Sequence, residues 1–194
     1  MAKQQTILIT GATGNVGGGA ALALAKRGAR VVLLGRKPER LAARADSIRA
    51  ALSEEGIDFQ ESDIATLAVD FSDMDSVRLA AAEALERFQT IDGLILSAVA
   101  LVQNGPHILD NGHELMFATN VMGPFLFTQL LLERMQRSQG LLLHVIAPFY
   151  NDIDWDDLES IRHHDTETAY HRTKTCNRAI AGELARRYAG TISS

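Results

Sequence analysis

The stretch Thr6-Ile7-Leu8-Ile9-Thr10-Gly11-Ala12-Thr13-Gly14-Asn15-Val16-Gly17-Gly18-Gly19 decides the fold. Its first five residues form an apolar run suited to a buried strand, and an alanine-rich helical segment follows over 20–27. Glycines between a strand and a helix let the backbone turn sharply. They also let a pyrophosphate approach the amides at the helix N-terminus. Gly11, Thr13, Gly14, Asn15, Val16 and Gly17 are therefore candidate dinucleotide-binding residues. The alternative is a glycine-rich turn that holds no ligand.

Outward from this turn, apolar runs alternate with helix-period segments. Strands are expected over 30–34, 65–69, 93–97 and 141–146, with helices over 38–52, 113–136 and 167–188. Val77, Ala80, Ala81, Ala84, Leu85 and Phe88 follow helical spacing, and Ser72 or Asp73 is placed to cap that helix. Pro38 suits a first helical turn, where its missing N–H would be unpaired anyway. Strands apolar throughout and alternating with helices indicate a parallel sheet covered on both faces. The expected fold is α/β, a doubly wound Rossmann-type sandwich, in one domain over residues 1–194.

Composition narrows the function classes. A net charge of -5 offers no basic footprint for nucleic acid. The single cysteine, Cys176, excludes an intrachain disulfide and a cysteine-rich zinc site. No metal site is expected: His163-His164 lacks further ligands, and the acidic residues around Trp155 read as a solvated loop. His144, Asn120 and Gly123 break the apolar runs, so no membrane span of roughly 18 residues is expected. No signal peptide is visible, and a cytoplasmic location is expected.

The end of the second strand selects the nucleotide. An acid there would bond the ribose hydroxyls of NAD, whereas arginine pairs with the 2′-phosphate of NADP. The chain has Gly35-Arg36-Lys37, so Arg36 and Lys37 favour NADP(H) unless they merely begin a solvated helix. Tyr170 and Lys174 stand four positions apart, on one face of a helix. An ammonium beside a phenol favours the phenolate, which fits such a pair for acid–base work on a carbonyl or alcohol. Asn120 is a polar oddity in an apolar helix, and a buried amide needs partners.

With TGATGNVG (10–17), VDFSD (69–73), DGLI (92–95), NGHELMFATNVMGPFLFTQLLL (111–132) and AYHRTKTCNRAIAGELARR (169–187), the chain resembles the short-chain dehydrogenase/reductase family. The likeness is to its retinol-dehydrogenase-like branch and covers nearly the whole chain. The resemblance implies Tyr170 as general acid/base, Lys174 as its partner on the nicotinamide ribose, and Asn120 as holder of a proton-relay water. It implies that Asp70 and Phe71 flank the adenine, and that Ser97 and Ala98 line the cofactor path after the fourth strand. It further implies a small-molecule carbonyl or alcohol substrate and a homo-oligomer.

The chain departs from the family pattern at four places. Asn15 stands where the branch has its middle glycine, and Val99 where a glycine ends the turn after the fourth strand. Ala147 occupies the catalytic serine position, with His144 or Tyr150 as conceivable substitutes, and His144 reads as a satisfied strand histidine. The family continues past Ser194 for about two strands, so a truncated sheet edge and substrate pocket are expected. A competing expectation is a non-catalytic dinucleotide-binding or regulatory protein of the same fold, and a third is a structural subunit of a larger assembly.

Overall fold

The computed structural model describes residues 4–146 and 151–192. Five parallel strands form one sheet in the order β3-β2-β1-β4-β5. These are β1 (Thr6–Thr10), β2 (Arg30–Gly35), β3 (Ile64–Ala68), β4 (Gly93–Leu96) and β5 (Leu141–His144). The chain winds from β1 to one edge, then returns past β1 to build the other. Ile7 pairs with Val31 on one side and Gly93 on the other. The direction therefore reverses between β1 and β4, which opens a crevice beyond their C-terminal ends.

Alternation along the strands feeds two apolar layers. Ile7 and Ile9 join Val31, Leu33 and Ile64 beneath α1 (Asn15–Ala25) and α2 (Pro38–Glu54). Leu8, Val32, Leu34, Leu94 and Leu142 face the opposite layer. There α3 (Met74–Arg87) supplies Val77 and Ala81. Strands covered on both faces must be apolar on both, which explains their unbroken runs. Asp73 caps α3, its side chain accepting from the Asp75 and Ser76 N–H groups.

The expected helix over 113–136 is a composite. It comprises α4 (Leu115–Phe117), a π-helical turn (Ala118–Met122) and α5 (Gly123–Arg137). Asn120 and Gly123 do not break it, so the expectation that no apolar run approaches a membrane-spanning length is corrected. Leu115–Arg137 has 23 residues and is by length and composition apolar enough to cross a membrane, yet 61% of its most apolar window is buried within this fold. Phe127, Leu131 and Met135 lie in the core. Gly123 is required: a Cβ there would sit 2.1 Å from the Phe71 carbonyl oxygen.

Other differences lie at element ends, where hydrogen-bonding definitions shift by a residue or two. The larger one is α1, which begins at Asn15 rather than near residue 20 and takes Gly17, Gly18 and Gly19 into its first turns. Close packing there outweighs the poor helix propensity of glycine. The last helix, α6, spans Thr166–Arg187 with Asp165 as its cap.

Candidate active site at the sheet switch point

Thr10 ends β1, and its Oγ1 accepts hydrogen bonds from the Ser97 and Ala98 N–H groups, both at 2.9 Å. This hydroxyl joins the ends of β1 and β4 where their directions diverge. Sequence reading missed it; the signal was a β-branched hydroxyl directly before the first glycine. Gly11 then adopts φ +65°, and a Cβ on it would lie 2.8 Å from the Ala98 backbone nitrogen. A Cβ on Gly17 would lie 2.6 Å from the Gly11 carbonyl oxygen and 2.8 Å from Ser97 Oγ. These two positions need glycine because backbone fills the space. The N-cap of α1, Gly14, offers no side-chain capping bond. The first-turn N–H groups of α1 are thus left for an anion.

Beside this turn lies a cleft of about 390 Å3. Gly11 and Thr13 form one wall, Arg36, Lys37 and Arg40 another, and Asp70, Phe71, Ala98 and Val99 the floor. Gly14, Asn15, Val16, Gly17 and Ser97 do not line this cleft: Asn15 and Val16 are exposed on the helix start, and Ser97 backs Gly17. Asp70 Oδ1 is tied to the Ser72 N–H and hydroxyl at 2.9 and 2.7 Å. The Phe71 ring turns into the core, edge-on to Phe127 at 5.7 Å. Val99 is half exposed at the cleft rather than folded away from it.

No carboxylate pairs with Arg36, Lys37, Arg40 or Arg44 among the described residues. Arg40 and Arg44 were not anticipated, although both fall in the expected helix over 38–52, four positions and one turn apart. Glycines fixed by close approach, an open helix start and uncompensated cations suit a phosphorylated dinucleotide.

The second cluster sits where α6 crosses the end of β5. Tyr170 is half-buried and Lys174 buried, with Lys174 Nζ 5.5 Å from the Tyr170 ring centre. The ammonium also reaches the Val145 carbonyl at 3.4 Å. Burial lowers the Lys174 pKa from its ordinary value. The π-helical turn presents Asn120 to α6. The Asn120 amide donates to Ala100 O at 2.9 Å and Thr173 Oγ1 at 3.3 Å, and its Oδ1 accepts from the Ala100 N–H at 2.7 Å. The Asn120 carbonyl accepts from Asn177 at 2.9 Å. So Asn120 bonds Thr173 in the turn of α6 that carries Tyr170 and Lys174, and all three stand outside the cleft lining. Ala147 and Tyr150 lie outside the described residues.

His144 is not the satisfied histidine expected. Its Nε2 is buried without a partner among the described residues, and burial, reinforced by the Lys174 charge, pushes its pKa down to about 4. Cys176 is buried in the same helix, and burial raises its thiol pKa.

The segment between β4 and α4 and the segment before α6 are joined to each other. His113 Nδ1 meets Glu159 Oε1 at 2.9 Å, and the Glu114 N–H donates to Glu159 Oε2 at 2.7 Å. The His164 ring packs on Gly105 so closely that a Cβ would come within 2.6 Å of its Nε2.

A doubly wound parallel sheet with a glycine turn at its switch point defines a Rossmann-type nucleotide-binding protein. Residues 5–147 match the short chain dehydrogenase family model, and the chain belongs to that family. It is 32% identical over 192 residues to human retinol dehydrogenase 13, covering 96% of this chain and 55% of that protein. It is 33% identical over 196 residues to human retinol dehydrogenase 14, covering 96% of this chain and 58% of that protein. The chain thus spans little more than half the length of these relatives. A short chain dehydrogenase structure from Pseudomonas syringae superposes with a TM-score of 0.76 at 25% identity, covering 98% of this chain and 74% of that one. A Shigella flexneri short chain dehydrogenase solved with NADP shares the fold, with a TM-score of 0.73 at 22% identity over 97% of this chain and 73% of that one.

Proposed function

We propose that the chain is an NADP(H)-dependent oxidoreductase that interconverts an alcohol and a carbonyl. The observation that carries this reading is the buried Lys174 ammonium stacked on the Tyr170 ring beside the switch-point cleft. Bound in that cleft, a nicotinamide dinucleotide supplies or accepts a hydride. Gly11 and Thr13 hold its pyrophosphate side, and Arg36, Lys37 and Arg40 hold the 2′-phosphate. Tyr170 gives or takes the proton at the substrate oxygen. Lys174, buried with its ammonium 5.5 Å from the Tyr170 ring centre, orients that phenol toward the nicotinamide side of the site. Asn120 ties the loop after β4 to α6, so that cofactor floor and proton donor keep their spacing.

The substrate is a small carbonyl or alcohol, and the protein works as a homo-oligomer in the cytoplasm. A groove of about 270 Å3 between α5 and α6, lined by Phe125, Ile180, Leu184 and Tyr188, receives the second copy. Replacing Tyr170 with Phe should lower turnover by roughly a hundredfold or more, the scale of lost general acid–base catalysis, while NADPH affinity is retained. Unchanged turnover in steady-state assays would remove Tyr170 from the mechanism.

A further inference from the structure

Arg44 stands one turn beyond Arg40 on α2, yet it does not line the cleft. Its side chain crosses instead to the outer side of the glycine turn, where Nη2 donates to the Thr13 carbonyl at 3.4 Å. Gly18 makes room for it: a Cβ there would lie 2.9 Å from the guanidinium carbon, 3.1 Å from Nε and 3.0 Å from the Ala12 carbonyl oxygen. Gly18 has no positive φ to explain its identity. It is buried in a helix, where glycine is unfavourable by about 1 kcal/mol relative to alanine. The guanidinium itself has no carboxylate partner among the described residues.

We infer that Arg44, seated on Gly18, is a positioning residue that ties the phosphate-binding turn to α2. The Arg44 side chain holds Thr13 and the start of α1 in register with Arg36, Lys37 and Arg40. The pyrophosphate bridge of a dinucleotide then meets a turn that is already set. This inference rests on the proposed dinucleotide site. Because Arg44 acts on the turn, it contributes to affinity and not to the choice between NADPH and NADH; that choice belongs to Arg40 and its neighbours on the cleft wall.

The test is calorimetric titration of the full chain with NADPH and with NADH, in the wild type and in the variants R44A, G18A and R44A/G18A. Amide hydrogen exchange over residues 11–18 without nucleotide provides a second readout. The expected result is that R44A weakens both dinucleotides by a similar factor of roughly five to ten, the scale of one ordinary hydrogen bond. G18A should do the same by displacing the guanidinium, and adding it to R44A should cost much less than it costs alone. Exchange of the turn amides should quicken in both single variants. Additive effects in the double variant would overturn the inference. So would unchanged exchange in R44A, or a loss confined to NADPH, which would make Arg44 a phosphate contact. If the wild type binds neither dinucleotide, the proposed function fails; the exchange data still decide whether Arg44 orders the turn.

Discussion

His144 closes β5 with a buried ring nitrogen that no described residue satisfies, next to the charge of Lys174. In the unfolded chain an imidazole titrates near 6.5; here it titrates at about 4. Between those values the unfolded state binds more protons than the folded one. Stability is therefore complete above about pH 6.5 and falls as pH drops toward 4, by up to roughly 3 kcal/mol. Urea denaturation from pH 4.5 to 7 should show this slope, and His144→Leu should flatten it. A slope unaltered by that substitution would assign the acid sensitivity to other groups. The glycines were legible in the sequence because they cluster between an apolar strand and a helix, although what fills the space beside Gly11 and Gly17 comes partly from the end of β4. His144 was not, because whether a strand histidine finds a partner depends on what α6 brings over it. Arg44 was hidden likewise, since its contact with Gly18 joins two elements.

Among the elements, the helix from Leu115 to Arg137 shows where sequence patterning reaches its limit. Its apolar spacing forecast one helix, and Asn120 and Gly123 looked like interruptions. Both are contacts instead. The π-helical turn directs Asn120 at α6 and the loop after β4, and π-bulges are frequent at functional sites. Gly123 lets α5 lie against the backbone at Phe71, between β3 and α3. Gly123→Ala should therefore cost about 1–3 kcal/mol in denaturant unfolding, because backbone and not a flexible side chain must yield. An unchanged midpoint would mean that the approach of α5 to Phe71 is looser than described. The strands were read almost to the residue because each is apolar on both faces, whereas helix ends depend on caps and neighbours.

At the scale of the whole molecule, the two faces of the sheet are unequally covered. α1 and α2 lie over β1, β2 and β3, whereas Leu141 and Leu143 of β5 are 45% and 41% exposed. Phe125, 43% exposed beside the groove between α5 and α6, marks the proposed contact between copies. Phe125→Glu should convert a wild-type oligomer to monomer in sedimentation velocity without loss of fold. An unchanged sedimentation coefficient would place any self-association elsewhere. The doubly wound parallel sheet followed from alternation and the first turn. The cation wall was half legible, through Arg36 and Lys37; Arg40, exposed on the first turn of α2, joins it at the cleft.

The account stands or falls on which dinucleotide this cleft takes. Calorimetric titration of the wild-type chain with NADPH and NADH measures it directly, with Arg40→Ala as the comparison. The account predicts NADPH binding at least about tenfold tighter than NADH, a difference near 1.4 kcal/mol, and a smaller ratio in the variant. Equal affinities, tighter NADH binding, or no binding of either would contradict it.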